Sequence, residues 1–163
     1  RQYTIESYID HVHALKMRIP HVSITTDIIV GFCGETEHDY ELTKDVFMSV
    51  AFDNAFIFKY SPREGTKAYT LQDSVAQKEK ERRNNDLLAL QRAIAHEKNK
   101  SLIGLTEKAI VYAVSKKNPN EFKARTVSDR EVVFPGTHAM IGKMVSLRFT
   151  DISNQTFIGV LNA

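Results

Sequence analysis

Apolar residues first recur at helical spacing: Ile5, Tyr8, Ile9, Val12 and Leu15 share a face, Thr4 stands at an N-cap position and Pro20 closes the segment. A helix is expected from Thr4 to about Met17. The β-branched run from Val22 to Phe32 is continuously apolar toward its end, which suits a strand buried in a parallel sheet. Thr36 and Asp39 have the spacing of a capping box, and Tyr40, Val46, Phe47 and Val50 follow on one helical face. A second buried strand, Ala55 to Tyr60, ends at Ser61-Pro62. Helix, strand, helix, strand with short connections is the grammar of a parallel sheet or barrel. A complete barrel of that kind takes roughly 250 residues, so the chain reads as part of one.

Residues 66 to 75 read as a loop, and a long charged helix is expected from about Gln77 to Lys100, with Leu87, Leu88, Leu90 and Ile94 as its apolar face. That helix reads as a connector packed on the side of the barrel. After Gly104 the pattern shortens to strands at Lys108–Val114, Phe122–Val127, Val132–Phe134, Met144–Phe149 and Phe157–Leu161, with Asn118-Pro119 and Pro135-Gly136 as turns. Short strands so spaced predict a small closed all-β barrel of the OB type. The fold class is therefore α/β, with residues 1–100 as the end of a βα barrel plus connector and residues 101–163 as the second domain.

Composition adds a partner class. No run approaches the roughly 18 apolar residues of a membrane span, and no basic-then-apolar leader opens the chain, which reads as soluble and cytoplasmic with no membrane partner. Residues 1–97 hold 12 Lys and Arg against 15 Asp and Glu, while residues 98–163 hold 10 against 5, so the net charge of +2 divides into −3 and +5. Such an excess suits nucleic acid, and equally an ordinary solvated basic surface. Lys116 and Lys117 at one strand end, Lys123 and Arg125 on the next strand, and Arg148 are the candidate phosphate contacts. Phe122 or Phe134 beside them offers a ring for an unpaired base or belongs to the core; for Phe134 and Phe149 the core reading is preferred.

In a βα barrel chemistry sits where strands end, so Gly31–Thr36 and Tyr60–Thr66 come first. Gly31 and Gly34 can bring backbone close to a ligand and leave amides free at a helix start, and Asp27 and Glu35 can accept from hydroxyl or amino groups. Tyr60, Ser61 and Arg63 place a ring, a hydroxyl and a guanidinium on one turn. The alternative is a tight strand-to-helix turn with a charged helix start. His11, His13, His21, His38, His96 and His138 show no metal-ligand spacing, and no metal is expected. Cys33, the single cysteine, has no histidine partner and cannot supply the ligands of an iron–sulfur cluster; no catalytic residue is assigned in this chain.

These segments resemble radical-SAM methylthiotransferases. Thr25–Thr36, TTDIIVGFCGET, is similar to the family's TTDIIVGFPGET; Phe58–Ala68, FKYSPREGTKA, resembles its F-x-YSPRPGTxA; and Val75 with Glu81-Arg82-Arg83 resembles its V-x-x-x-x-K-x-x-R connector. Ala124-Arg125-Thr126, Val132-Val133-Phe134 and Ile141-Gly142-Lys143 resemble the GRT, V-V-x-F and IGK elements of a TRAM domain. The resemblance covers essentially the whole chain. It implies the last third of an enzyme whose upstream CxxxCxxC loop holds a [4Fe–4S] cluster, with a second such cluster in an amino-terminal domain, and whose cofactor is S-adenosylmethionine. By carry-over, Asp27, Gly31, Gly34, Glu35, Tyr60, Ser61 and Arg63 border the S-adenosylmethionine pocket. The same carry-over implies that Lys116, Lys117, Arg125 and Thr126 touch tRNA, at its anticodon stem-loop, and Lys123 and Arg148, from the charge pattern, are expected to join them. The implied reaction installs a methylthio group at C2 of N6-(dimethylallyl)adenosine beside the anticodon, this chain alone being an inactive carboxy-terminal fragment. Arg63 and the VVF triplet favour that MiaB-type branch over enzymes acting on threonylcarbamoyl-adenosine tRNA or a ribosomal protein; a non-enzymatic RNA-binding module is the third reading. Three positions depart from the pattern: Cys33 and Glu64 replace prolines, which is expected to alter the loops, and Ala124 replaces a glycine, which adds a methyl where backbone approaches RNA.

Overall fold

The computed structural model describes residues 3–20 and 22–162. His21, one of the histidines read as unpaired, lies outside the described residues, as do Arg1, Gln2 and Ala163. The chain divides into two compact units, Arg1–Ala95 and His96–Ala163.

In the first unit α1 (Ile5–Arg18) starts at Thr4, whose hydroxyl accepts from the Ser7 amide. β1 (Thr25–Val30) leads into α2 (Glu37–Val50), where the reciprocal Thr36–Asp39 capping box is formed as its spacing predicts. β2 (Asn54–Lys59) then pairs parallel to β1, with Ile28 opposite Ile57 and Asp27 opposite Phe56. A short 3-10 turn at Lys67–Thr70 interrupts the following loop before α3 (Gln77–Lys100). Val30 and Ala55 pack against Val12, Tyr40, Phe47, Val50, Phe52 and Leu87, so helices cover one face of the two-stranded sheet.

β1 is shorter than its apolar run and is not buried on both sides. Alternation along the strands sends Ile28, Val30, Ala55 and Ile57 to the helices, while Asp27, Ile29, Phe56 and Phe58 face outward and are exposed. Ile29, Phe56 and Phe58 each keep 54% of their surface in contact with solvent. Because apolar side chains stand on both faces of β1, Ile28 and Val30 inward and Ile29 outward, the run reads as a core strand although helices cover only one face.

In the second unit β3 (Thr106–Val114), β4 (Glu121–Thr126), β5 (Glu131–Pro135), β6 (Met144–Ser153) and β7 (Thr156–Leu161) form a closed barrel in the order β3-β4-β5-β7-β6. Every pairing is antiparallel except β5 with β7. Ala109, Val111, Phe122, Ala124, Val132, Phe134, Leu147, Phe149 and Phe157 fill its interior. Phe122 and Phe134 are thus core residues, and a stacking role for either is ruled out by burial of 99% or more. Ala124 also points inward, so the methyl that replaces the family glycine meets the core rather than a ligand.

Candidate functional site

The loop after β1 is closed by its own side chains. Glu35 Oε2 accepts from the Gly31 amide at 2.9 Å and, at 3.4 Å, from that of Phe32. The Gly34 amide donates to Ser74 Oγ at 3.0 Å, the Glu35 amide to the Phe32 carbonyl and the Thr36 amide to Asp39. The amides expected to be free for a ligand therefore have partners. Glu35 Oε1 is taken as well, by Arg83 Nη1 at 2.7 Å, so this carboxylate fastens the loop to α3.

Two successive turns of α3 secure both strand ends. Arg83, buried, also binds the Glu35 carbonyl, Glu37 and Glu79, and Arg82 binds Glu37 and Glu79. Arg82 first and Arg83 next hold the Glu79 carboxyl down at about 2. Lys80, only 3% exposed, places its Nζ 2.6 Å from Asp73, 3.5 Å from the Tyr60 carbonyl and 5.2 Å from the Tyr60 ring centre. Its methylenes lie over Gly31, where an added Cβ would come within 2.4 Å of Lys80 Cγ. Gly31 also has φ +70, so that position needs glycine on two counts. Lys80 and Arg83 are the K and R of the connector motif, and their contacts explain its three-residue spacing: one reaches the turn after β2, the other the turn after β1.

Beyond β2, Tyr60, Ser61, Arg63, Thr66 and Ala68 join Ile29, Phe32 and Phe58 around an open hollow of about 370 Å³. Tyr60 is its wall: the ring packs edge-on against Phe32 at 4.9 Å and the hydroxyl donates to the Ala68 carbonyl. The Cys33 thiol beside it, followed by burial, raises the Tyr60 phenol above its ordinary range. Ser61 and Arg63 are exposed at the rim. Asp27 is exposed on the uncovered face of β1, two residues before Ile29, and does not line this hollow. The Thr66 amide returns to the Arg63 carbonyl across Glu64-Gly65, with Gly65 at φ +79, which makes a type II turn. Glu64 occupies the position where proline is favoured, and the turn forms without it.

Alternation along β4 turns Lys123 and Arg125 outward and Phe122, Ala124 and Thr126 inward. Lys116, Lys117 and Lys123 line a hollow of about 430 Å³ with Glu121, Glu131, Ser153, Asn154 and Thr156. Arg125 stands beside it, 3.5 Å from Asp129 and 4.0 Å from Glu131. Thr126 is buried, and its hydroxyl serves Ser128 and the Arg130 amide. Arg148 is exposed on β6, opposite Thr106 and Val160, and is not brought to the lysine hollow. A residue that sequence reading passed over is Tyr112, 43% exposed on β3, whose hydroxyl donates to Glu131. The inward positions of Ala109 and Val111 were the signal that Tyr112 turns out. Among the described residues no group of three His, Cys, Asp or Glu side chains is placed to hold a metal ion, and no helix is long and apolar enough to cross a membrane.

No family model matches the chain. Curated relatives do. It is 42% identical over 150 residues to tRNA-2-methylthio-N(6)-dimethylallyladenosine synthase of Moorella thermoacetica, an alignment covering 92% of this chain and 34% of that protein. The same-named proteins of Akkermansia muciniphila and Bacteroides thetaiotaomicron are 41% and 43% identical, each over 98% of this chain and 35% of their own length. Nearly the whole chain is thus similar to one portion of these synthases. It spans about a third of the length of the curated relatives it matches. With 98% of the chain aligned, the similarity takes in the strand-end loops, the Lys80–Arg83 clamp and the basic barrel together.

Proposed function

We propose that this chain serves a tRNA methylthiotransferase that modifies C2 of N6-(dimethylallyl)adenosine next to the anticodon. In that reading the first unit is the end of a radical-SAM barrel and the second a TRAM domain. The observation that carries it is identity of about 40% across both units to synthases of that name.

The uncovered row of Ile29, Phe56 and Phe58 supports a sheet that further strands close into a barrel with this face turned to its interior, since that face would otherwise stay apolar and wet. The hollow beyond β2 supports a site for S-adenosylmethionine: its volume lies in the range of small-ligand clefts, with apolar walls for a ring and Ser61 and Arg63 for polar groups. When bound, that cofactor supplies radical chemistry and the transferred methyl. Glu35, Lys80 and Arg83 hold the loops that frame the hollow, and Gly31 and Gly34 permit their shape. A [4Fe–4S] cluster does not fit the residues of this chain, because a cluster takes three or four thiolates and Cys33 is the single cysteine. Lys116, Lys117, Lys123 and Arg125 supply the positive face for the phosphates of an anticodon stem-loop, in the cytoplasm where tRNA is modified.

Deleting the gene and measuring tRNA nucleosides by mass spectrometry tests the assignment. The expected result is loss of the methylthio group from dimethylallyl-adenosine alone. Loss from threonylcarbamoyl-adenosine, or from a ribosomal protein with tRNA unchanged, assigns a different substrate; unchanged modification throughout leaves an RNA-binding module.

A further inference from the structure

The outward face of β3, β4 and β5 combines an exposed ring with paired charges in a way the lysine hollow alone does not explain. Tyr112 sits at a bulge: Val111 pairs with Ala124 and Ala113 with Lys123, so Tyr112 has no residue opposite it on β4. Bulges re-aim side chains, and here the ring is turned to solvent while its hydroxyl is fixed. Phe122, Phe134, Phe149 and Phe157 are all buried, which makes Tyr112 the exposed aromatic among the described Phe and Tyr residues of the barrel. Glu131 Oε2 accepts from its hydroxyl, and Oε1 accepts from Lys123 Nζ at 2.9 Å. Arg125, directly opposite Glu131 in the ladder, brings a guanidinium nitrogen to 4.0 Å. One carboxylate thus orients a phenol and two cations, and the adjoining hollow adds Lys116 and Lys117.

Resting on the RNA-binding reading above, we propose that Tyr112 is the platform on which one unpaired RNA base stacks, with Lys123 and Arg125 taking the flanking phosphates and Glu131 holding the three side chains in place. A ring fixed by its own hydroxyl loses little freedom on binding, and an aromatic between cations suits a base flanked by phosphates. Burial first, and then the Glu131 hydrogen bond, raise the Tyr112 phenol, so it stays neutral beside phosphate at pH 7. The Tyr112 and Lys123 hydrogen bonds lower Glu131, which keeps the orienting carboxylate charged. A single-stranded nucleotide is favoured over an apolar protein surface because the cations border the ring and residues 98–163 carry an excess of five positive charges, 10 Lys and Arg against 5 Asp and Glu.

The test uses this chain and a short single-stranded RNA carrying 2-aminopurine, whose fluorescence falls when it stacks. Binding of the unaltered chain should quench the probe. Tyr112→Ala should weaken binding by about ten-fold, abolish the quench and leave the salt dependence unchanged, since stacking releases no counterions. Tyr112→Phe, which keeps the ring, should retain the quench. Lys123→Ala should instead flatten the plot of log affinity against log salt by roughly 0.7. Unchanged affinity and quench in Tyr112→Ala overturns the platform while RNA binding stands, and so does a loss of affinity with the quench intact. Equal affinity of the unaltered chain for duplex and single strand also overturns it. An unaltered chain that binds no RNA at low salt overturns both this inference and the RNA-binding reading. Thermal melting of Tyr112→Ala and of Glu131→Ala, which removes the acceptor that orients the ring but keeps the ring, separates loss of binding from loss of fold.

Discussion

Gly31 shows how tightly single positions are constrained at the strand ends. Its backbone is left-handed and its α-carbon lies under the Lys80 chain, whereas Gly34, at φ +82, has open space around it. Gly34→Ala should therefore cost only the left-handed backbone penalty, about 1–2 kcal/mol. Gly31→Ala should cost more than that, because the buried Lys80 must move away from Asp73 and the Tyr60 carbonyl. Urea midpoints of the two variants compare the costs; equal midpoints would show that Lys80 yields freely.

At the scale of elements, α3 does two jobs with one buried stripe. Lys80, Arg83, Leu87, Gln91 and Ala95 are its buried residues, and three of the five are polar. The first turns bind loops through charge, and the later turns pack Leu87, Leu90 and Ile94 into the sheet core. Glu79, next to Lys80 and paired with Arg82 and Arg83, sets a pH limit on this arrangement. Its carboxyl titrates at about 2 in the folded chain against an ordinary 4.5, so its contribution is full above pH 4.5 and is lost as pH falls toward 2. Asp86, held down chiefly by the Tyr40 hydroxyl, and Asp39, held down by Thr36, act in the same direction. The thermal midpoint of the first unit should fall between pH 4.5 and 2, and Glu79→Gln should flatten that fall. An identical pH profile in the variant would remove Glu79 from the clamp.

Over the whole molecule, the charge division follows the structural one: the acidic share lies in the unit with the clamp and the basic share in the barrel. If the barrel meets RNA through phosphates, Lys116→Ala with Lys117→Ala should weaken binding across all sequences and reduce the salt slope by roughly 0.7 for each phosphate no longer neutralised. Filter binding across a salt series measures this, and an unchanged slope would assign those lysines to solvent. Tyr112→Ala, which should leave the slope alone, is the opposite case, so the two variants separate charge from stacking.

The sequence by itself determined the elements and much of their order. Period 3.6 marked α1 and α2, the Thr36–Asp39 box marked a helix start, and short alternating runs marked the barrel, because backbone propensity and one-sided burial leave their trace locally. The sequence also placed Lys123 and Arg125 two positions apart on one strand, and so on one face. It did not settle what each polar group faces. Glu35 and the Gly31 and Gly34 amides looked open to a ligand until α3, more than 40 positions along the chain, supplied Arg83, while Ser74 came from the loop before it. Phe122 stood beside lysines in the sequence yet turns into the barrel, and Tyr112 was passed over although it turns out at a bulge. The half-polar stripe of α3 carries little hydrophobic signal, so Lys80 and Gln91 gave no sign of being buried. Only the tertiary structure decided these, since hydrogen-bond partners and the two sides of a sheet are fixed by chain segments brought together in space, not by neighbours in sequence.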